Sequence, residues 1–264
     1  MRGYSGHASY RKGDLFIKET DGYAERLLHQ AKKQMKYRSR LMQSPLSKKF
    51  DIPKVISCWD SGFSMEYVNG MNLIEVMQHS PQLLPGIMES ITELLQWEFQ
   101  KSHKRPFKVK PFINKLSSSC PGYISRYIIN EAKKLRFSFV STGQNMGDLT
   151  CANMIFTYDK IYLIDLLGTF YRSPYQDVAK LLQEVNLQWS WLMHENKEGC
   201  FVQKEYAVFK SYIDNNIPKN QHTHLFYLMC LARLFPYSLH NEEMFKLINT
   251  ECWRVISNGL YRTG

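Results

Sequence analysis

The 264-residue chain predicts a two-lobed α+β fold. A small β-rich N-terminal lobe covers residues 1–68 and a larger, mainly α-helical C-terminal lobe covers residues 69–264. Three features predict this. Up to about residue 65, short β-like runs broken by turn residues surround a single helical stretch. After Asn69 and Gly70 the apolar spacing becomes helical and stays so for most of the chain. One hairpin, within MIFTYDKIYLIDLL, interrupts those helices.

The elements follow in order. In ASYRKGDLFIKET, two β-like runs flank RKGD, a hairpin turn in which Gly13 is available for positive φ. AERLLHQAKKQMKYRSRL reads as a helix with Leu27, Leu28, Ala31 and Met35 on one face. FDIPKVISCWDSGFSMEYV reads as two more strands separated by DSG. Beyond the connector, MNLIEVMQ groups Leu73, Val76 and Met77 on one face. PGIMESITELLQWEFQKSH does the same with Ile87, Ile91, Leu94, Leu95 and Phe99. YISRYIINEAKKL repeats the pattern, YDK turns the lone hairpin, and the segments from QDVAKLLQEVNLQWSWL onward are helical.

Hydrophobic residues make up 44% and charged residues 22%, the balance of a soluble globular protein. The N-terminal stretch lacks the apolar core of a signal peptide, and the apolar runs are too short to span a bilayer, so a cytoplasmic protein with no transmembrane segment is expected. Six scattered cysteines form no C-x-x-C pair, which argues against a zinc or thioredoxin-like site and for reduced, mostly buried thiols. His222 and His224 read as surface histidines. The net charge is +10, with basic clusters at residues 30–40 and 101–110. Such a field concentrates anions, whether nucleotide phosphate, polysaccharide, acidic lipid or nucleic acid. The plainer readings are a solvated helix face and a basic loop. No zinc finger, aromatic RNA-binding signature or basic zipper is present, so nucleic acid is not the expected partner. Nothing in the sequence specifies an oligomeric state.

The chemistry concentrates in MGDLTCANMIF and the KIYLIDLLG that follows. Asp148 stands five positions before Asn153, and Asp165 ends an apolar run. Phosphoryl transfer from ATP needs an acceptor for the attacking hydroxyl's proton, oxygen ligands for Mg²⁺, and cations against the phosphates. Mg²⁺ keeps several waters, so one carboxylate and one amide are a sensible protein contribution. A hairpin between Asn153 and Asp165 would bring those two together. The competing reading is ordinary loop punctuation.

MGDLTCAN resembles the catalytic loop of the kinase-like phosphotransferases, whose pattern in protein kinases is H-R-D-L-x-x-x-N. Gly147 stands where the aminoglycoside phosphotransferase and choline kinase branch has glycine. LIDLLG resembles the metal-binding D-F-G segment, with Gly168 also retained. SMEYVNG resembles the hinge between lobes, LFIKET the strand that carries the phosphate-contacting lysine, and YAERLL the start of the helix whose glutamate pairs with it. RGYSGHAS, with Gly3 and Gly6, sits where the glycine-rich loop belongs. YRSPYQDVAKLL resembles the segment in which an aspartate, here Asp177, buttresses the catalytic loop. The resemblance covers residues 3 to 185 and is strongest over 146 to 180. No Walker A pattern is present.

The resemblance implies a protein kinase-like fold, with ATP and Mg²⁺ as cofactors. Asp148 would be the catalytic base and Asn153 and Asp165 the metal ligands. Lys18, held by Glu25, would meet the phosphates, and backbone groups at Glu66 and Val68 would meet adenine. Glu19 competes with Glu25 for the lysine. One departure stands out: the family's histidine two places before the catalytic aspartate is Met146, which fills the volume without making hydrogen bonds.

The implied reaction moves the γ-phosphate of ATP to a hydroxyl of a small molecule or carbohydrate, and the positive charge admits an anionic acceptor. Ten residues between Asp165 and QDVAKLL leave little room for a long activation segment, which disfavours a protein substrate. A nucleotide-binding pseudokinase or regulatory scaffold, and a protein kinase, are the alternatives. Trp189, Trp191 and Glu195 could stack on a sugar and bind its hydroxyls, although core residues of an amphipathic helix are the plainer reading. Arg172 and Arg233 could meet an anionic acceptor or pair with Asp177 or Glu184.

Overall fold

A computed structural model describes residues 7–22, 24–116, 118–193 and 202–258. The chain opens with β1 (Ala8–Lys12), β2 (Leu15–Glu19), α1 (Glu25–Met42), β3 (Phe50–Asp51), β4 (Val55–Trp59), β5 (Gly62–Glu66), β6 (Met71–Asn72) and α2 (Leu73–His79). It continues with α3 (Leu84–Gln100), β7 (His103–Pro106), α4 (Lys110–Lys115), α5 (Gly122–Lys134) and β8 (Phe139–Thr142). The hairpin of β9 (Met154–Phe156) and β10 (Ile161–Leu163) follows. Then come α6 (Tyr175–Leu187), α7 (Trp189–Leu192), α8 (Gln203–Asn216), α9 (Gln221–Ala232) and α10 (Glu242–Asn258). The mixed α+β class, with a β-sheet N-terminal region and a helical C-terminal part, is as the sequence predicts.

The chain forms two compact units. One combines residues 1–80 with 146–168; the other combines 81–145 with 169–264. This division differs from the lobe boundary expected after residue 68. The reason is strand pairing: β9 binds β6 and β10 binds β3, so the hairpin joins the N-terminal residues.

In the first unit, an antiparallel sheet has the order β1-β2-β5-β4. Gly13 turns the first hairpin at φ +61°, as expected for a residue without a Cβ. A core of Ala24, Leu27, Ala31, Phe63 and Met65 joins α1 to this sheet. The buried stripe of α1 also carries Gln30, Gln34, Tyr37 and Leu41. Met35, expected on that face, is 45% exposed. It lies four residues past Ala31 but on the flank of the stripe, which polar glutamines complete. The second sheet has the order β3-β10-β9-β6. Asn72 caps α2 by accepting from the Glu75 amide, and Glu75 returns the bond in a capping box.

In the second unit, α6 and α9 are the central helices, buried on nearly all faces. β7, inside the stretch read as a basic loop, pairs with β8 in a two-stranded antiparallel ribbon. Four-residue strands are too short to declare a period in sequence. The five described cysteines are free thiols, four of them buried; Cys58 is exposed. His222 and His224 are half-buried, contrary to the surface reading. Asn220 caps α9 and sets His222 against the Tyr175 ring, centroids 5.4 Å apart. His224 Nε2 lies 3.5 Å from the Tyr127 hydroxyl.

Candidate active site

The candidate site is assembled within the first unit. The β2–β5 register sets Lys18 opposite Phe63. The Lys18 side chain is largely buried, and its Nζ lies 2.7 Å from Asp165 Oδ1. Gln30 Nε2 donates to the same oxygen at 2.6 Å. Asp165 has φ +56°, in the left-handed region that costs a non-glycine residue about 1 kcal/mol or more. Backbone strain of this kind gathers where a side chain must be held in one place, and here two donors grip the carboxylate.

The two ends of the hairpin meet. The Ile164 amide donates to the Asn153 carbonyl at 3.0 Å, so the residue before Asp165 is bonded to Asn153. Asn153 ends a short 3₁₀ turn, Cys151–Asn153, just before β9. Its Nδ2 donates to both the backbone carbonyl and Oδ2 of Asp148, each at 3.0 Å. With the nitrogen so engaged, Oδ1 is the amide atom suited to a cation. Gly147, next to Asp148, has φ +95°, which supplies a conformational reason for glycine there.

Met146 is fully buried. Its carbonyl accepts from Lys33 Nζ at 2.6 Å, and Lys33 Nζ also donates to the Leu167 carbonyl. One lysine on α1 therefore joins the backbone just before Asp148 to the backbone just after Asp165. This residue belongs to the basic cluster read as a solvated face.

The Lys18–Glu25 pair expected from the resemblance does not form. Glu25 is exposed in the first turn of α1, whereas Gln30 is buried. Five residues of α-helix turn the chain by about 140° beyond a full turn, so the two cannot share a face. Glu19 accepts from the Tyr10 hydroxyl at 2.9 Å. His7 is a further neighbour missed by sequence reasoning. Both its ring nitrogens are buried without a hydrogen-bond partner among the described residues. Burial lowers its pKa below the ordinary 6.5, the Arg26 and Lys18 charges push the same way, and Asp165 opposes them. The ring is accordingly neutral near pH 7.

At the segment expected to meet adenine, the Glu66 amide donates to the Lys54 carbonyl at 3.0 Å. The Lys54 amide returns a bond to Glu66 Oε2 at 2.9 Å, not to the Glu66 carbonyl. The Tyr67 amide donates to the Asp14 carbonyl at 2.9 Å. The Val68 backbone makes no hydrogen bond among the described residues. The strand thus ends with a carbonyl at Glu66 and an amide at Val68 that are not taken up by its ladder neighbours.

No cluster of three or more His, Cys, Asp or Glu suited to a metal occurs among the described residues. A closed protein cage is therefore absent from them. The pair of Asp165 carboxylate and Asn153 Oδ1 fits a hard cation that retains waters and binds phosphate oxygens, as Mg²⁺ does.

Residues expected near an acceptor lie in the second unit. Trp189 and Trp191 are half-buried, and the Trp189 ring meets Tyr237 edge-on with centroids 6.4 Å apart. The Arg233 guanidinium lies 5.7 Å from the centroid of Phe170. Glu184 is buried and accepts from Ser190 and Tyr206. Asp177 is buried in α6. Glu195, Gly3 and Gly6 lie outside the described residues.

No family model matches the sequence. No curated protein matches it either. Solved structures do match the fold. An aminoglycoside phosphotransferase, APH(4)-Ia, in ternary complex with AMP-PNP and hygromycin B aligns at TM-score 0.59 and 12% identity, over 97% of this chain and 94% of that one. A glucosamine kinase in complex with glucosamine, ADP and inorganic phosphate aligns at TM-score 0.57 and 8% identity, over 95% and 76%. A choline/ethanolamine kinase family protein from Mesorhizobium loti aligns at TM-score 0.54 and 13% identity, over 99% and 87%. With a β-sheet N-terminal region and a helical remainder, the chain shares the fold of these three structures.

Proposed function

We propose that the chain is an ATP-dependent phosphotransferase that moves the γ-phosphate to a hydroxyl of a small molecule or carbohydrate. The observation that carries this reading is the convergence of Lys18 on Asp165, 2.7 Å apart, beside an Asn153 already bonded to Asp148. The same unit holds the largely buried Lys18, two oxygen-bearing side chains of the kind a hard cation takes, and a carboxylate bonded by Asn153, which supports this reading. The neighbours support the acceptor class: their complexes hold hygromycin B with AMP-PNP, and glucosamine with ADP.

In the proposed reaction, the Glu66 carbonyl and Val68 amide receive the adenine edge. Lys18 meets the phosphates. Asp165 and Asn153 Oδ1 would hold Mg²⁺, which when bound neutralises charge on the phosphate oxygens. Asn153 keeps Asp148 oriented to accept the acceptor's hydroxyl proton. The acceptor oxygen then bonds to the γ-phosphorus as the bond to the β,γ-bridging oxygen breaks, and ADP leaves with that electron pair. Lys33 is a positioning residue, tying the Met146 and Leu167 backbones together where a histidine would otherwise support the loop.

The test is turnover of labelled ATP with Mg²⁺ across an acceptor panel of hygromycin B, glucosamine and choline, for wild type and Asp148→Asn. Transfer to one acceptor that falls at least about a hundredfold in the variant supports the reading. Transfer unaffected by the substitution would overturn the role of Asp148. ATP binding without turnover on any acceptor would favour the nucleotide-binding scaffold that Met146 raises.

A further inference from the structure

Between Lys101 and Thr142 the chain carries ten lysines and arginines and one acidic residue, Glu131. This segment supplies nearly all of the net +10 of the whole chain. Its focus is the β7–β8 ribbon. Every residue of β7 is exposed, and β7 pairs His103 to Thr142 at one end and Pro106 to Phe139 at the other. The Phe107 amide extends the ladder by donating to the Ser138 carbonyl at 3.0 Å. That bond joins Phe107 to the residue that follows the Leu135–Phe137 turn.

Two large apolar side chains stand open at this end. Phe137 is 82% exposed and Phe139 60% exposed. Exposing one phenylalanine is ordinary, but two within three residues, rimmed by cations, are not explained by folding. Among the described residues, Lys101, Lys104, Arg105, Lys108 and Lys133 have no carboxylate partner. These five residues are exposed, and no carboxylate among the described residues neutralises them.

We propose that the β7–β8 ribbon docks the protein on an anionic lipid surface, independently of the phosphotransfer reading. Four to eight clustered Lys and Arg attract acidic headgroups, and adjacent aromatic rings enter the headgroup–acyl boundary. Charge and apolarity are placed together here as that requires: Lys104 shares a strand face with Pro106 and its partner Phe139, and Arg105 is exposed on the other face. Single-stranded nucleic acid would also meet the charge, but it needs open aromatic faces for base stacking. The Arg136 guanidinium covers one face of Phe137, 4.5 Å from its centroid. That arrangement leaves a ring edge to insert and a cation above it for a phosphodiester.

The test is co-sedimentation of the full chain with phosphatidylcholine vesicles, with and without phosphatidylglycerol, at low and high salt. Saturable binding only to the phosphatidylglycerol vesicles, weakened by salt, is expected. K104E/R105E should weaken it about thirtyfold or more, since each cation near the surface contributes roughly fivefold. F137S/F139S should weaken it at low and high salt alike, because the lost contribution is apolar. Both pairs are exposed, and an unchanged melting temperature verifies the fold. Equal binding to neutral vesicles, full binding by both variants, or tighter capture of single-stranded RNA than of anionic vesicles would each overturn the proposal.

Discussion

Lys18 Nζ and Asp165 Oδ1 are 2.7 Å apart, joined across 147 positions of sequence, and Gln30 reaches the same oxygen from α1. In this arrangement the lysine strand is tied directly to the aspartate, and the helix contributes a neutral amide where the fold's resemblance implied a glutamate.

Gln30 and not Glu25 should therefore be the sensitive position on α1. Lys18→Ala is expected to lower kcat/KM for ATP by about a hundredfold or more, as for removal of a preorganised charge. Gln30→Leu should produce a smaller loss, about tenfold, and Glu25→Ala should stay within about twofold, because it is an exposed surface change. Steady-state ATP kinetics on the three variants decide the order. An effect of Glu25→Ala equal to that of Lys18→Ala would refute it.

Lys33 should behave as structural support for the site. Lys33→Met removes the donor shared by the Met146 and Leu167 carbonyls. The expected destabilisation is about 1–3 kcal/mol by urea titration, with a fall in kcat larger than any change in KM for ATP. Lys32→Met, one residue away and exposed, is the control.

Gly62 should control the lysine strand. A Cβ at Gly62 would lie 2.2 Å from the Lys18 carbonyl and 2.9 Å from the Glu19 Cα. Gly62→Ala must push β2 away from β5, since backbone atoms cannot rotate aside. A lowered melting temperature, by several degrees and at least about 1 kcal/mol, should accompany weaker ATP binding. Gly86→Ala, where a Cβ meets nothing within 4 Å in helix α3, should lower neither.

His222 and His224 should make stability fall in mild acid. Burial is the largest cause lowering both pKa values from the ordinary 6.5, with Lys104 adding to it for His222. For His224, Glu131 opposes the shift and Lys134 favours it. With folded pKa values below the unfolded one, the stabilisation is complete above pH 6.5 and is lost as pH drops below it. Each pKa unit of difference corresponds to about 1.4 kcal/mol. Melting temperatures measured across that window should slope less steeply in a His222→Gln, His224→Gln variant than in wild type. Parallel slopes would show that other groups govern acid stability.

The comparison of sequence with structure turns on which signals are local. Gly13, the β9–β10 hairpin and the helical stretches of α3 and α6 follow from turn chemistry and periodicity within a few residues. The nearness of Asn153 to Asp148 and to the residue before Asp165 was legible because a short loop and a hairpin hold them close along the chain, and a hairpin's ends meet by its own pairing. Lys18 was legible from its strand and its order ahead of the other motifs.

The partners of those residues depended on tertiary approach. Gln30 took the place expected of Glu25 because helix phase, about 100° per residue, decides which side chain faces β2. Lys33 left its apparent place on a solvated face because two carbonyls, more than a hundred positions away, lie within its reach. β7 and β8 are four residues each, and their pairing spans over thirty positions, so no period announced them. The sequence by itself determined the order of elements and the kinds of chemical group available, which are set by local backbone preferences and residue identity. Only the tertiary structure decided which donor meets which acceptor and which cations remain unpaired, because those outcomes depend on distances between segments that sequence spacing does not contain.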